Sequence, residues 1–171
     1  MLSRNILQQC QGQPEQAYEA GDTLLAEGAA SDGHLLILIS GVVEIVKNGD
    51  TPVATVSEPG SPLGEISLLV RSPHTATARA VTPVRCLKIP DAHAFLHAHP
   101  AVLFAIARLL ALRLSSATAY LADVKKQVDT TDAGSLAMLD QLLDTLIHQA
   151  GQSLDLSEDG RHEQEEAASR Q

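Results

Sequence analysis

Between Glu19 and Pro90, short apolar runs alternate with Gly- and Pro-bearing segments, the pattern of an all-β sandwich or barrel. Leu35–Ser40 and residues 42–47 are two such runs separated by Gly41, and Asn48-Gly49 then offers a pair that tolerates positive φ at a hairpin turn. Residues 52–57 read as the return strand, 58–62 as a further turn, and Glu65–Val70 as one or two helical turns. Residues 74–81 and Val84–Ile89 close the set, so that seven or eight short strands fit. After Pro90 the period lengthens. Asp91 is an N-cap for a short helix that Pro100 ends, and a long helix is predicted over 101–128. Within it Ala107, Leu110, Leu114, Ala117, Leu121, Val124 and Val128 are spaced alternately by three and four, the a/d seam of a coiled coil. A seam of that length calls for a partner helix, and dimerisation through Leu110, Leu114, Ala117, Leu121 and Val124 is the expectation. Residues 130–135 break the pattern, after which Leu136, Leu139, Leu143, Leu146 and Ile147 form the apolar face of a second helix ending near Ala150. Residues 151–171 hold six acidic residues and two Arg with little to bury, the composition of a disordered tail. The predicted division is therefore 1–128, 129–150 and 151–171.

Composition narrows the field of functions. With 171 residues, 44% of them hydrophobic, the chain can form one domain with a modest appendage. Twelve Lys and Arg against 21 Asp and Glu give a formal net charge of −9, which repels a phosphate backbone, so no nucleic-acid partner is expected. Aromatic residues are only 2%, too few for base-stacking platforms. Two separated cysteines, Cys10 and Cys86, make neither a disulfide framework nor a metal knuckle, and suit a reducing compartment. No secretory signal opens the chain, and the longest apolar stretch, 101–112, is short and interrupted by Arg108. The expectation is a cytoplasmic protein without a membrane partner.

The segment that carries chemistry runs Gly64-Glu65-Ile66-Ser67-Leu68-Leu69-Val70-Arg71-Ser72-Pro73-His74-Thr75-Ala76. Glycine lets backbone approach a ligand, the following helical turn aims free N–H groups at an anion, and a Pro-polar-Thr step returns ring and hydroxyl donors to the same place. This segment resembles the phosphate-binding cassette of the cyclic-nucleotide-binding domain family. The resemblance extends upstream through Gly21-Asp22, Leu24, Glu27-Gly28, Ser40-Gly41-Val42-Val43-Glu44 and Pro59-Gly60, and downstream through the short and long helices, covering about 18–128. It implies an α+β chain: an eight-stranded jelly roll holding a cyclic nucleotide, then a long dimerisation helix, with one further C-terminal helix. Gly64 would present its backbone to the ligand, with Ile66 and Ser67 continuing the turn. Glu65 would bind the ribose 2'-hydroxyl, and Thr75 would donate to the cyclic phosphate. A base contact from the long helix would fall to Thr118, with Ser115 and Ser116 one turn earlier.

Position 74 departs from the family, which carries Arg there. Imidazole is mostly neutral near pH 7 and lacks the planar fork of a guanidinium. Losing a charge-assisted bond costs about 1.5–3 kcal/mol, or roughly one to two decades of affinity. Arg71 is the better placed compensating cation, because strand alternation would put Arg79 on the face opposite His74. His93, His97 and His99 invite a metal site, but lack further ligands at partner spacing, and no metal or cofactor is expected. No nucleophile in a recognisable His and Asp setting points to an enzyme. No helix-turn-helix is expected in the residues after the long helix. The expected function is a cyclic-nucleotide-sensing module that signals to a protein partner through its C-terminal helices. Its rivals are a ligand-blind scaffold and a sensor retuned to a cyclic dinucleotide.

Overall fold

Four consecutive side chains, Leu35, Leu36, Ile37 and Leu38, are fully buried, as a strand must be when protein covers both its faces. The computed structural model describes residues 2–127 and 133–146. In chain order its elements are α1 (Leu2–Gln9), β1 (Glu15–Tyr18), β2 (Thr23–Leu25), β3 (Leu35–Ser40), β4 (Val43–Lys47), β5 (Thr51–Val56), β6 (Pro62–Leu63), α2 (Glu65–Val70), β7 (Thr77–Ala80), β8 (Val84–Ile89), α3 (Ala92–Ala98), α4 (Pro100–Gln127) and α5 (Ala133–Asp144). The eight strands form two antiparallel four-stranded sheets, ordered β1-β8-β3-β6 and β2-β7-β4-β5. This is the expected jelly-roll-like sandwich in an α+β chain.

The sandwich has two cores, and β3 serves both. Leu36 and Leu38 lie between the sheets with Leu24, Val43, Val84 and Cys86. Leu35 and Ile37, one residue out of phase, face a second core built with Ile6, Leu68, Ile89, Val102 and Ile106. Alternation along a strand is the whole reason for this division. Each fully buried aliphatic side chain contributes about 1.5–3 kcal/mol, so the core that the helices complete stabilises the first unit as well as the one between the sheets. Both cysteines are free and buried, Cys10 in the helical core and Cys86 between the sheets. Burial pushes the Cys10 thiol up to about 11 and the Cys86 thiol up to about 12.

Several local expectations meet the structure closely. The hairpin joins Lys47 to Thr51, with Asn48 at φ 53° and Gly49 at φ 91°, the left-handed pair that the sequence called for. The Asp91 carboxylate accepts from the Ala94 N–H at 3.0 Å and caps α3. Other boundaries move. The expected strand over 74–81 is confined to β7, and β1 lies ahead of the predicted start at Glu19. Pro100 opens α4 rather than closing α3, as suits a residue with no N–H to satisfy at a helix start. Ala133, Gly134 and Ser135, read as part of a break, belong to α5. The expectations for Val128, for Ile147 and the helix end near Ala150, for the Leu136 side chain and for the tail 151–171 fall outside the described residues.

Two compact units divide the chain, 1–112 and 113–171, and α4 begins in one and ends in the other. By length and composition α4 would pass for a membrane span, an 18-residue window within Pro100–Lys126 having a mean hydropathy of 1.6. Within the first unit, however, Val102, Ala105 and Ile106 are core residues. Farther along, Leu114 is 46% exposed and Ala117 is exposed, whereas Leu110 packs against the helical core and Leu121 and Val124 are half-buried, so the predicted seam is only partly uncovered in the single chain.

Helix α1 was not foreseen, because its eight residues carry too few apolar positions to show a period. It sits so close to the turn before β6 that a Cβ on Gly60 would lie 1.7 Å from the Ser3 carbonyl oxygen, at a φ of +90°. Gly60→Ala should therefore destabilise the fold by at least about 2 kcal/mol in urea unfolding, through strain and collision together. Gly49→Ala, whose Cβ meets nothing within 4 Å, should lose only the left-handed preference, about 1 kcal/mol. Equal losses would refute the close packing of α1.

Candidate ligand-binding site

Strand β6 lies in one sheet and β7 in the other, so residues 64–76 must carry the chain across the end of the sandwich. Gly64 makes the turn at φ 91°, ψ 0°, a left-handed conformation that favours glycine, and α2 starts directly after it. Glu65, Ser67 and Leu68 face inward and are buried, whereas Ile66 is 44% exposed. The helix ends at Arg71, itself left-handed at φ 51°. The Arg71 and Ser72 N–H groups both donate to the Ser67 carbonyl, the latter at 3.1 Å.

His74 returns the chain to the sandwich. Its N–H donates to the Ala29 carbonyl at 2.9 Å, and its carbonyl accepts from the Gly28 N–H at 2.8 Å. The ring is buried, with Nδ1 at 3.1 Å from the Ser67 hydroxyl oxygen. Seven residues apart in sequence, these two side chains staple the start of the cassette to its end. Burial lowers the His74 pKa from its ordinary value; positive charge on His34 adds to the effect and Asp32 opposes it. The His34 ring nitrogen is bonded to the Asp32 carboxylate. Burial works to raise the Asp32 carboxyl, but its bonds from the His34 ring and backbone outweigh that and hold it below the usual carboxylate range.

Beside α2 lies a cavity of about 370 Å³ whose polar lining comprises Ser31, Ser67, Arg71, Ser72 and His93. Of the residues that the sequence singled out, Ser67 and Arg71 line it. Gly64, Glu65, Ile66, His74 and Thr75 do not, and Thr75 is exposed. Ser67 belongs to both sets. Arg79 is taken up by Glu44 at 3.0 Å and Asp50 at 3.2 Å, and those partners raise its pKa. Thr118 lies in the second unit, its hydroxyl donating to the Leu114 carbonyl at 2.9 Å. His99 stacks on Phe95 with ring centroids 4.1 Å apart and has Nδ1 at 2.9 Å from the Phe95 carbonyl oxygen. Among the described residues no group of three or more His, Cys, Asp or Glu side chains is placed to hold a metal ion. Sequence reasoning missed Ser31 and Ser72, which carry no spacing signal, and assigned His93 only to the metal reading.

The family model for the cyclic nucleotide-binding domain matches residues 15–98. Among solved structures, the catabolite activator protein of Thermus thermophilus is 26% identical over 72% of this chain and 58% of its own, with a TM-score of 0.57. A cyclic nucleotide-binding domain from Methylobacillus flagellatus is 23% identical over 67% of this chain and 79% of its own, with a TM-score of 0.55. The regulatory subunit of a cAMP-independent protein kinase A from Trypanosoma brucei is 23% identical over 56% of this chain and 34% of its own, at a TM-score of 0.50. The likenesses at 23% identity speak for the fold alone. No curated protein sequence matches the chain.

The His74 ring makes stability depend on pH. Its pKa is lower folded than unfolded, so the unfolded chain takes up the proton more readily. The stabilisation is then full above the ordinary value of 6.5 and is lost as pH falls below it. Between about pH 7.5 and 5.5 the unfolding free energy of the wild type should drop, and His74→Gln should drop less. Parallel pH profiles from chemical denaturation of the two proteins would contradict this reading.

Proposed function

Residues 15–98 of this chain belong to the cyclic nucleotide-binding domain family, whose members are regulatory rather than catalytic modules, and from that premise we propose a cytoplasmic sensor of a cyclic mononucleotide with a weakened phosphate contact. The observation that carries the proposal is the cassette itself: left-handed Gly64 leading into α2, with Glu65 buried behind it and His74 closing on Ser67. In this reading Gly64 offers backbone to the ligand, Glu65 takes the ribose hydroxyl, and Thr75 with His74 receives the cyclic phosphate. Ile66 and Ser67 shape the turn. No catalytic step is assigned, and no metal or cofactor is required.

Output passes through α4. Leu110, Leu114, Ala117, Leu121 and Val124 form the seam of a homodimer, and Thr118 beside that seam supplies the base contact in the assembled protein. Ligand favours one arrangement of the long helices by differential affinity between two states, and α5 offers the face read by a protein partner. A ligand-blind scaffold is the second reading. It is favoured by one specific observation: the His74 ring is buried, its pKa is lowered, and its Nδ1 already faces a hydroxyl.

Calorimetric titration with cAMP, cGMP and cyclic di-GMP decides between them. The sensor binds a cyclic mononucleotide weakly at neutral pH and more tightly as pH falls, because the protonated ring is the form that attracts the phosphate. His74→Arg should tighten binding by roughly one to two decades. No binding of any of the three ligands by wild type or His74→Arg, with the fold intact by circular dichroism, leaves the scaffold. Preference for cyclic di-GMP would mean a retuned pocket.

The dimer is tested separately. Replacing Leu114 and Leu121 together by Glu should convert a dimer into a monomer in analytical ultracentrifugation, since both would place charge in an apolar seam. A wild type already monomeric at micromolar concentration would refute the seam.

A further inference from the structure

The loop from β2 to β3 opens with Ala26-Glu27-Gly28-Ala29-Ala30, in which four of the five residues have no side chain beyond a methyl group. Those four are exposed, so the segment cannot hold its shape by packing. It nevertheless brackets the residue on which the cassette closes. The Gly28 N–H donates to the His74 carbonyl at 2.8 Å, and the Ala29 carbonyl accepts from the His74 N–H at 2.9 Å. His74 therefore stands where residues 28 and 29 stand.

Glu27, half-buried, is the residue of the five whose side chain reaches other elements. Its N–H donates to the Thr77 hydroxyl at 2.9 Å, and its carboxylate accepts from the Asn48 N–H at 2.8 Å. The two anchors agree in space, because Thr77 pairs with Val46 and Asn48 lies two residues farther along. A carboxylate accepting from a backbone N–H makes a stronger bond than a neutral acceptor does. The turn it grips is itself fixed: Asn48 is left-handed at φ 53°, and on the other side of the turn the Arg79 guanidinium holds Asp50 at 3.2 Å and Glu44 of β4 at 3.0 Å.

We propose that Glu27 is a positioning residue for His74: by tying residues 27–29 to β7 and to the β4–β5 turn, it sets where the ring meets the Ser67 hydroxyl. The consequence for a ligand rests on the reading of His74 as a phosphate contact; the placement of the ring does not. Glu27 acts through position rather than charge, since the charges that act on the His74 ring are those of His34, which lowers its pKa, and Asp32, which raises it. Removing the Glu27 carboxylate then changes the ring's titration by changing its surroundings, above all its burial.

The test follows the His74 ring by NMR titration, and the Gly28 and His74 amides by hydrogen exchange, in the full chain and three variants. In the wild type the ring titrates below 6.5. Glu27→Ala should bring it up toward 6.5 as water reaches the ring, and should speed exchange of both amides roughly tenfold. Glu27→Gln keeps an oxygen for the Asn48 N–H and should restore the wild-type ring and amides. Asp50→Ala loosens the same turn from its other side and should leave them as they are. An unmoved ring in Glu27→Ala overturns the proposal, as does a Glu27→Gln variant that behaves like Glu27→Ala. An equal shift in Asp50→Ala overturns it too, because general loosening of the hairpin would then be the cause. Calorimetry with cAMP on the same proteins keeps the two readings apart: no binding by the wild type refutes the sensor alone, and the ring titration still decides the role of Glu27.

Discussion

The burial of β3 on both faces is the constraint from which the rest of the first unit follows. A strand with four successive fully buried aliphatic residues cannot lie at a surface, so it needs a second sheet on one side and helices on the other. The partner sheet supplies Leu24, Val43 and Ala78; the helices supply Ile6, Leu96, Val102 and Ile106. Strand β8 repeats the arrangement, with Val84 and Cys86 turned to one core and Leu87 and Ile89 to the other. Because β6 pairs with β3 through Leu36 and Leu63, the entry to the cassette is fixed to the same strand. The position of Gly64 is thus inherited from the packing of β3.

The cassette solves a different problem, the burial of polar groups at a crossing between two sheets. A guanidinium at position 74 would need an opposite charge to be buried there. Imidazole with a lowered pKa needs only a hydroxyl, and Ser67 provides it. With the ring neutral, the contact between His74 and Ser67 links the two ends of residues 64–76 without a charged partner. Among the described residues no buried side-chain nitrogen or oxygen lacks a hydrogen-bond partner.

Legibility in the sequence followed the strength of the local signal. The run at 35–38, the Asn48-Gly49 turn, the Asp91 cap and α4 were readable because periodicity, positive φ and capping chemistry act within a few residues. Helix α1 was not readable, since its place depends on Gly60 giving room to Ser3, a contact 57 residues away in sequence. The cassette was legible as a motif on Gly64 and Glu65, and its departure at His74 was visible too. The bond from His74 to Ser67 was not, because a predicted strand over 74–81 would have aimed the ring by simple alternation. The cavity at Ser31, Ser72 and His93 gathers three elements that no spacing rule connects. Arg71 was singled out for its charge, whereas its left-handed backbone became evident only in the structure.

The two buried thiols have a consequence of their own. Cys10 belongs to the core that the helices complete and Cys86 to the core between the sheets, and each is held protonated far above neutral pH by burial. A thiol in that state is a poor nucleophile until its surroundings open. Each cysteine is therefore an internal clock for one layer. The rate at which a reagent captures Cys10 counts openings of the helical side, the rate at Cys86 counts separations of the sheets, and the two rates coincide only when the layers come apart together.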